Sequence, residues 1–462
     1  MLFSSPIFFV FFVAYFALHV GIPARHRIWL IIFGGLVFYS YWYPGYFWVP
    51  PLLLAIAFGG AIWVDGANET GTRKRRLVGA ITLLLLPLLF FKYTNFIYRD
   101  VLGLVVPTGD HLIKLPLPLG ISFVTFTLIA YVVDVYRGSF AVERRLQLLA
   151  GHVIFFPHLI AGPILRPSEL LPQLALPKSW RSAQFLGGVV VFTLGLVKKL
   201  VVADPIAAAI DPIFANPQAI HQGQALLAIY GFTVQIYCDF SGYTDMAIGL
   251  AAILGVRLPN NFARPYGSSS IIEFWRRWHI TLSHWLRDYL YIPLGGNRYG
   301  FGRQIAALVA TMVLGGLWHG ANWTFVIWGA IHGVAVAVNH TVRTYLPRFR
   351  MPYWLGLLVT FHFVTLVWVY FRSPNVATAH TILKALVTPE PGLAVTFLQA
   401  NVFAVVLIVA ALALHFFDDH RRVRIAARRL PGVIVGAVLM ALWVLAIAIS
   451  AGNSGSFIYF DF

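Results

Sequence analysis

MLFSSPIFFVFFVAYFALHV, residues 1–20, carries no Lys, Arg, Asp or Glu, and the first charges come only at Arg25 and Arg27. A helix needs about 20 mostly apolar residues to cross the hydrocarbon of a bilayer, and the run near 3–22 supplies them. A secretory leader would place its basic residues ahead of the apolar run. Here they follow it, so the expectation is a retained first span with its N-terminus outside.

Further apolar runs of this kind lie near 28–49, 50–65, 77–98, 117–136, 183–203, 224–254, 304–318, 322–340, 353–371, 397–416 and 431–450. Prolines 44, 50 and 51 divide the second from the third, so that pair is expected to be kinked or shorter. The count comes to about eleven spans. Composition agrees: 59% of the 462 residues are hydrophobic and 11% charged, too few polar side chains to cover a water-soluble surface. Cys238 is the only cysteine, which excludes an intrachain disulfide framework. The fold class is therefore an all-α polytopic membrane protein. Residues 151–174 are apolar but broken by Pro157, Pro163, Pro167 and Pro172. Such backbone survives at membrane depth only inside protein or beside a wet cavity, so it reads as re-entrant or interfacial. No hydrophilic stretch is long enough for a second domain, and residues 1–462 read as one membrane domain.

The net charge of +17 would suggest nucleic acid in a soluble protein. The basic residues sit instead in short clusters between apolar runs, such as Arg73-Lys74-Arg75-Arg76 and Arg421 to Arg429. That is the pattern of cytoplasmic loops beside anionic lipid. The bilayer is the expected partner, and no nucleic acid is.

Three stretches hold chemistry. Residues 271–290 (IIEFWRRWHITLSHWLRDYL) show helical spacing. Trp275, Trp278, Leu282, Leu286 and Tyr289 share one stripe, and Glu273, Arg277, Thr281, His284 and Asp288 another. His279 falls on the apolar stripe, either as a hydrogen-bonded core histidine or as a functional one. Glu273 stands at ion-pair spacing from Arg276 and Arg277. Residues 314–323 (LGGLWHGANW) place His319 between apolar runs with Gly315, Gly316 and Gly320 around it. Glycine admits another backbone or a ligand at close range. A histidine at membrane depth is a functional candidate, and a neutral imidazole is what a general base needs near pH 7. Residues 235–249 (QIYCDFSGYTDMAIG) bring Asp239 and Asp245 into a run of spanning length. They could serve a proton path, hold a catalytic histidine or pair structurally, with an arginine for example. The histidines show no metal-ligand spacing, and no GxSxG, Walker A, GxGxxG, HExxH or CxxC motif occurs.

The strings 117–138 (LPLGISFVTFTLIAYVVDVYRG), 155–167 (FFPHLIAGPILRP), 237–266 (YCDFSGYTDMAIGLAAILGVRLPNNFARPY), 274–298 (FWRRWHITLSHWLRDYLYIPLGGNR), 315–323 (GGLWHGANW) and 457–462 (FIYFDF) resemble the membrane-bound O-acyltransferase family. They are most similar to its branch in bacterial alginate O-acetylation. The branch supporting D-alanylation of teichoic acids is more distantly similar. The resemblance runs from about 115 to 340, the motif-rich core, and resumes at the C-terminus. Residues 1–110 match only in hydropathy, and 350–462 supply further spans.

The resemblance implies helices around a central tunnel, in a multi-pass protein of the bacterial inner membrane. A thioester donor, acetyl-CoA or another, would enter from the cytoplasmic side as substrate, with no bound cofactor and no metal. The catalytic histidine would be His319, in the context Trp318-His319-Gly320. His279 would occupy the second polar position, orienting or polarising the donor. Apart from the resemblance, hydrogen-bonding capacity offers Asn322, or a backbone N–H near the Gly315-Gly316 turn, as oxyanion donor, and charge alone offers Arg276 and Arg277 to the donor's phosphates. The hydroxyl acceptor would belong to an exopolysaccharide such as alginate, or to a periplasmic acetyltransferase working with the polysaccharide synthesis machinery. D-alanyl-type transfer to a cell-envelope polymer is one alternative. An exporter of acyl groups or polysaccharide without transfer chemistry is another, and a scaffold that only anchors a synthase is a third.

Overall fold

The computed structural model describes residues 1–104, 116–176, 182–218 and 220–450. The terminal FIYFDF string lies outside them. The described residues are helical, with no strand among them. Among the described residues, seven helices are long and apolar enough to cross a membrane: Pro44–Asp65, Thr70–Tyr93, Gln184–Ala215, Phe301–His319, Trp323–Tyr345, Tyr353–Arg372 and Gly432–Ser450. The pair Pro391–Ala400 and Val402–Phe417, bent by 85°, would make an eighth.

The difference from about eleven expected spans has identifiable sources. The first run forms Pro6–Gly21, 16 residues. At 1.5 Å per residue that is about 24 Å, short of about 30 Å of hydrocarbon. The second forms only Arg27–Ser40, 14 residues, before a turn. The run from 117 gives Ile121–Arg137, 17 residues. The run 224–254 becomes the 32-residue helix Gln222–Ile253, whose interior carries Asp239 and Asp245 and is buried.

By packing, the chain divides into two compact units. The first comprises Met1–Phe192 and Met246–Pro259. It contains the proline-broken stretch, which forms the short helices Leu146–Ile154, Phe156–Leu159 and Pro167–Ala175. Residues 151–165 are buried, and the His158 ring meets the His152 carbonyl at 2.7 Å. Broken helix enclosed in protein is what backbone polarity demands of such a stretch.

The second unit comprises Thr193–Asp245 and Asn260–Phe462. Six helices matter for its chemistry: α1 (Gln222–Ile253, to Asp245 in this unit), α2 (Ile271–Arg277), α3 (Ile280–Leu286), α4 (Phe301–His319), α5 (Trp323–Tyr345) and α6 (Tyr353–Arg372). α4 and α5 form a tight hairpin. A Cβ on Gly316 would run into the Phe325 carbonyl oxygen and against Gly329, while one on Gly329 would meet the Met312 carbonyl oxygen. Of the glycines expected to admit a backbone or a ligand, Gly316 admits the partner helix of the hairpin, whereas Gly315 faces Leu286 of α3.

Candidate active site

His319 is the last residue of α4, and Gly320 leaves the helix in extended conformation. The imidazole is walled by rings from three elements: Trp318 at 4.9 Å between centroids, Trp328 of α5 at 5.4 Å and Phe371 of α6 at 5.2 Å. Its residue is 5% exposed. A Cβ on Gly320 would strike the Phe325 ring, so glycine is needed for the chain to turn past that ring.

His279 arrives by a different device. The helical stripe read over 271–290 does not run through: the helix breaks after Arg277, and His279 sits between α2 and α3 with φ +42° and ψ 55°. This left-handed conformation is uncommon for a residue with a Cβ and costs on the order of 1–3 kcal/mol. Asn261 holds the break in place. Its carbonyl oxygen accepts Ile280 N–H at 2.9 Å, and its Oδ1 accepts Thr281 N–H at 3.1 Å and the Thr281 hydroxyl at 2.9 Å. Ala263 N–H donates to the Arg277 carbonyl at 2.9 Å. These bonds override the helical periodicity.

The same Oδ1 lies 3.2 Å from His279 Nδ1. Thr281 N–H identifies this atom as the amide oxygen, and an oxygen only accepts. Nδ1 therefore carries the proton, and Nε2 carries the lone pair. The ring is fully buried, edge-on to Phe240 at 4.7 Å. Burial pushes its pKa down to about 3, so the imidazole is neutral at working pH. Trp318 lies beside both histidines, 6.4 Å from the His279 ring and 4.9 Å from the His319 ring.

The other expected residues have partners and surroundings of their own. Arg277 is committed to Glu273 at 2.6 Å. Arg276 is exposed and lines a cavity of about 400 Å³ with Trp275, Ile280, His284, Arg287 and Gln304; His279 and His319 are not among its lining residues. The Arg287 charge is matched by Asp288 at 2.6 Å. Asn322 caps α5: its Oδ1 accepts Thr324 N–H at 3.0 Å, and its Nδ2 donates to the Pro374 carbonyl at 2.9 Å. Gly315 and Gly316 stand inside α4 rather than in a turn. One of the two Asn322 Nδ2–H donors is thereby used, and the Gly315 and Gly316 N–H groups lie within helix α4.

Asp239 and Asp245 are held by lysines. Lys199 meets Asp239 and Asp204, each at 2.8 Å. Lys198 meets Asp245 at 2.8 Å and Asp418 at 2.6 Å, and Tyr237 donates to Asp418. His420 Nδ1 stands 3.3 Å from Asp245. Sequence reasoning missed Lys198 and Lys199, which are visible as two adjacent charges inside the apolar run 183–203. It also missed Asn261 and the wall residues Trp328 and Phe371, for which local spacing offers no signal.

The profile of the membrane-bound O-acyltransferase family matches residues 145–377. The chain is 40% identical over 432 residues to a probable alginate O-acetylase of Pseudomonas aeruginosa, covering 90% of this chain and 81% of that one. It is 36% identical over 430 residues to a peptidoglycan O-acetyltransferase of Helicobacter pylori, covering 84% and 80%. A teichoic acid D-alanyltransferase of Bacillus subtilis is 29% identical over 267 residues, covering 53% and 66%.

Proposed function

This chain belongs to the membrane-bound O-acyltransferase family and is a multi-pass O-acyltransferase; from that premise we propose that it moves an acetyl group from a cytoplasmic thioester, acetyl-CoA, to a hydroxyl at the outer face of the bacterial inner membrane. The acetyl group is favoured because the relatives matched over most of the chain carry alginate and peptidoglycan O-acetylation in their names. The acceptor is an exopolysaccharide hydroxyl, or that of a periplasmic acetyltransferase that passes the group to the polysaccharide machinery.

One observation carries the assignment: a buried His319 walled by aromatic rings, with a second neutral imidazole, His279, beside the shared Trp318. His319 takes the proton of the attacking hydroxyl. The oxygen adds to the thioester carbonyl carbon, the C–S bond breaks, and the proton passes to the leaving thiolate. Low exposure keeps water from competing for the acyl group. With its lone pair on Nε2, His279 suits accepting a hydrogen bond from the incoming hydroxyl better than polarising a carbonyl, which would require a donor. Arg276, exposed beside its cavity, supplies positive charge for the phosphates of the donor.

Purified protein given acetyl-CoA labelled in the acetyl group tests this. Label should move to a hydroxyl acceptor with release of free thiol, and His319→Ala should lower the rate by about 10²–10⁴-fold, the range of a lost general base. Thiol release unchanged by the substitution would refute the role of His319. The D-alanyl reading rests on the teichoic acid relative. It predicts that a D-alanyl thioester outcompetes the acetyl one in the same assay.

A further inference from the structure

Trp275 of α2 and Trp328 and His332 of α5 meet pairwise, with ring centroids 5.7 Å (Trp275–Trp328), 5.2 Å (Trp275–His332) and 4.9 Å (Trp328–His332) apart. Trp328 is 1% exposed and His332 fully buried. Both indole Nε1 atoms, and both Nδ1 and Nε2 of His332, are buried without a hydrogen-bond partner. Leaving such an atom buried and unpaired is costly, and native proteins hold few of them. Four ring nitrogens at one spot form a concentration that phenyl rings in the same places would avoid.

The chemistry of the spot is lopsided. An indole offers one donor, and a neutral imidazole one donor and one acceptor. Three donors therefore stand against one acceptor, which complements a group rich in carbonyl oxygens. A hydrocarbon chain would leave all of them unsatisfied. The location is equally specific. Trp275 also lines the cavity bordered by Arg276, and Trp328 also walls His319. The cluster thus touches both the basic cavity and the candidate base.

We propose that Trp275, Trp328 and His332 form a binding subsite for the amide-bearing arm of an acyl thioester, with carbonyl oxygens of that arm taking the ring N–H groups between Arg276 and His319. This rests on the acyl-transfer reading above. The arm is common to coenzyme A and to a carrier-protein prosthetic group, so the subsite reads the arm and not what lies beyond it.

The test measures KM for acetyl-CoA, for S-acetyl-N-acetylcysteamine (which keeps one amide) and for S-ethyl thioacetate (which has none). It compares the unaltered protein with His332→Phe and Trp275→Phe. Each variant keeps an apolar ring and removes ring nitrogen, so the second carries the test if the first does not accumulate. KM for both amide-bearing thioesters should rise about tenfold, one hydrogen bond's worth, with no rise for S-ethyl thioacetate. The thermal midpoint of His332→Phe should not fall, because two unsatisfied buried nitrogens disappear, whereas a merely structural role would lower it. Unchanged KM for the amide-bearing donors, or an equal rise for all three, would overturn the subsite. Failure of the unaltered protein to use any acyl thioester would instead overturn the acyl-transfer reading on which it stands.

Discussion

Asn261 and His279 show how one residue pair sets up chemistry that spacing alone conceals. His279 stands out in the sequence because histidine is rare within an apolar stripe, but its left-handed backbone does not, since 271–290 keeps helical spacing across the break. The staple that causes the break comes from a loop about 18 residues upstream. Asn261→Ala would leave Thr281 N–H, the Thr281 hydroxyl and His279 Nδ1–H without this acceptor. A loss of roughly 2–4 kcal/mol in stability is expected, read as a lower thermal midpoint in detergent, with donor turnover falling as well. Acid gives a second readout. Burial holds the folded pKa of His279 near 3 against 6.5 for the free side chain. Below pH 6.5 the unfolded chain takes up a proton that the folded chain refuses, so stability falls as pH drops toward 3. His279→Asn should flatten that part of the midpoint-against-pH curve; an unchanged slope would contradict the neutral buried ring.

The α4–α5 hairpin is the element that fixes His319 against Trp328. Gly316 is legible in the sequence as a close-approach position, although what approaches is the partner helix rather than a ligand. Gly316→Val would drive two methyl groups toward the Phe325 carbonyl and Gly329. A cost of about 1–3 kcal/mol is expected for the overpacking, with turnover lost as His319 shifts against its aromatic wall. Gly302, in the first turn of the same helix, has nothing within 4 Å of an added Cβ. Gly302→Ala should therefore be tolerated and should raise stability slightly, by up to about 1 kcal/mol. Equal damage from both substitutions would show that the glycine contacts do not set the spacing. His332 escapes a sequence reading for a related reason. It lies inside the apolar run 322–340, and its neighbours Trp275 and Trp328 come together only when α2 packs on α5.

At the scale of the molecule, membrane character is plain from composition, while the number of spans is not. Apolar runs count core helices and true spans alike, and Gln222–Ile253 is apolar enough to be counted yet carries buried acids. Within the second unit, Lys198 joins the apolar run 183–203 to Asp245 of α1 and to Asp418 near the C-terminal helices. Lys198→Ala leaves two poorly exposed carboxylates facing each other and Tyr237, and should destabilise by about 3–5 kcal/mol. Lys198→Ala,Asp245→Asn should recover part of that loss. An additive double variant would mean that the ions are not coupled. The central claim, that one sheltered imidazole drives acyl transfer to the far side of the membrane, is met most directly by acetyl content. O-acetyl groups on the cell-envelope polysaccharide should be quantified in cells whose only copy of this protein carries His319→Ala, at membrane levels matched to the unaltered protein. The account predicts that acetylation falls to background. Acetylation at the unaltered level would contradict it.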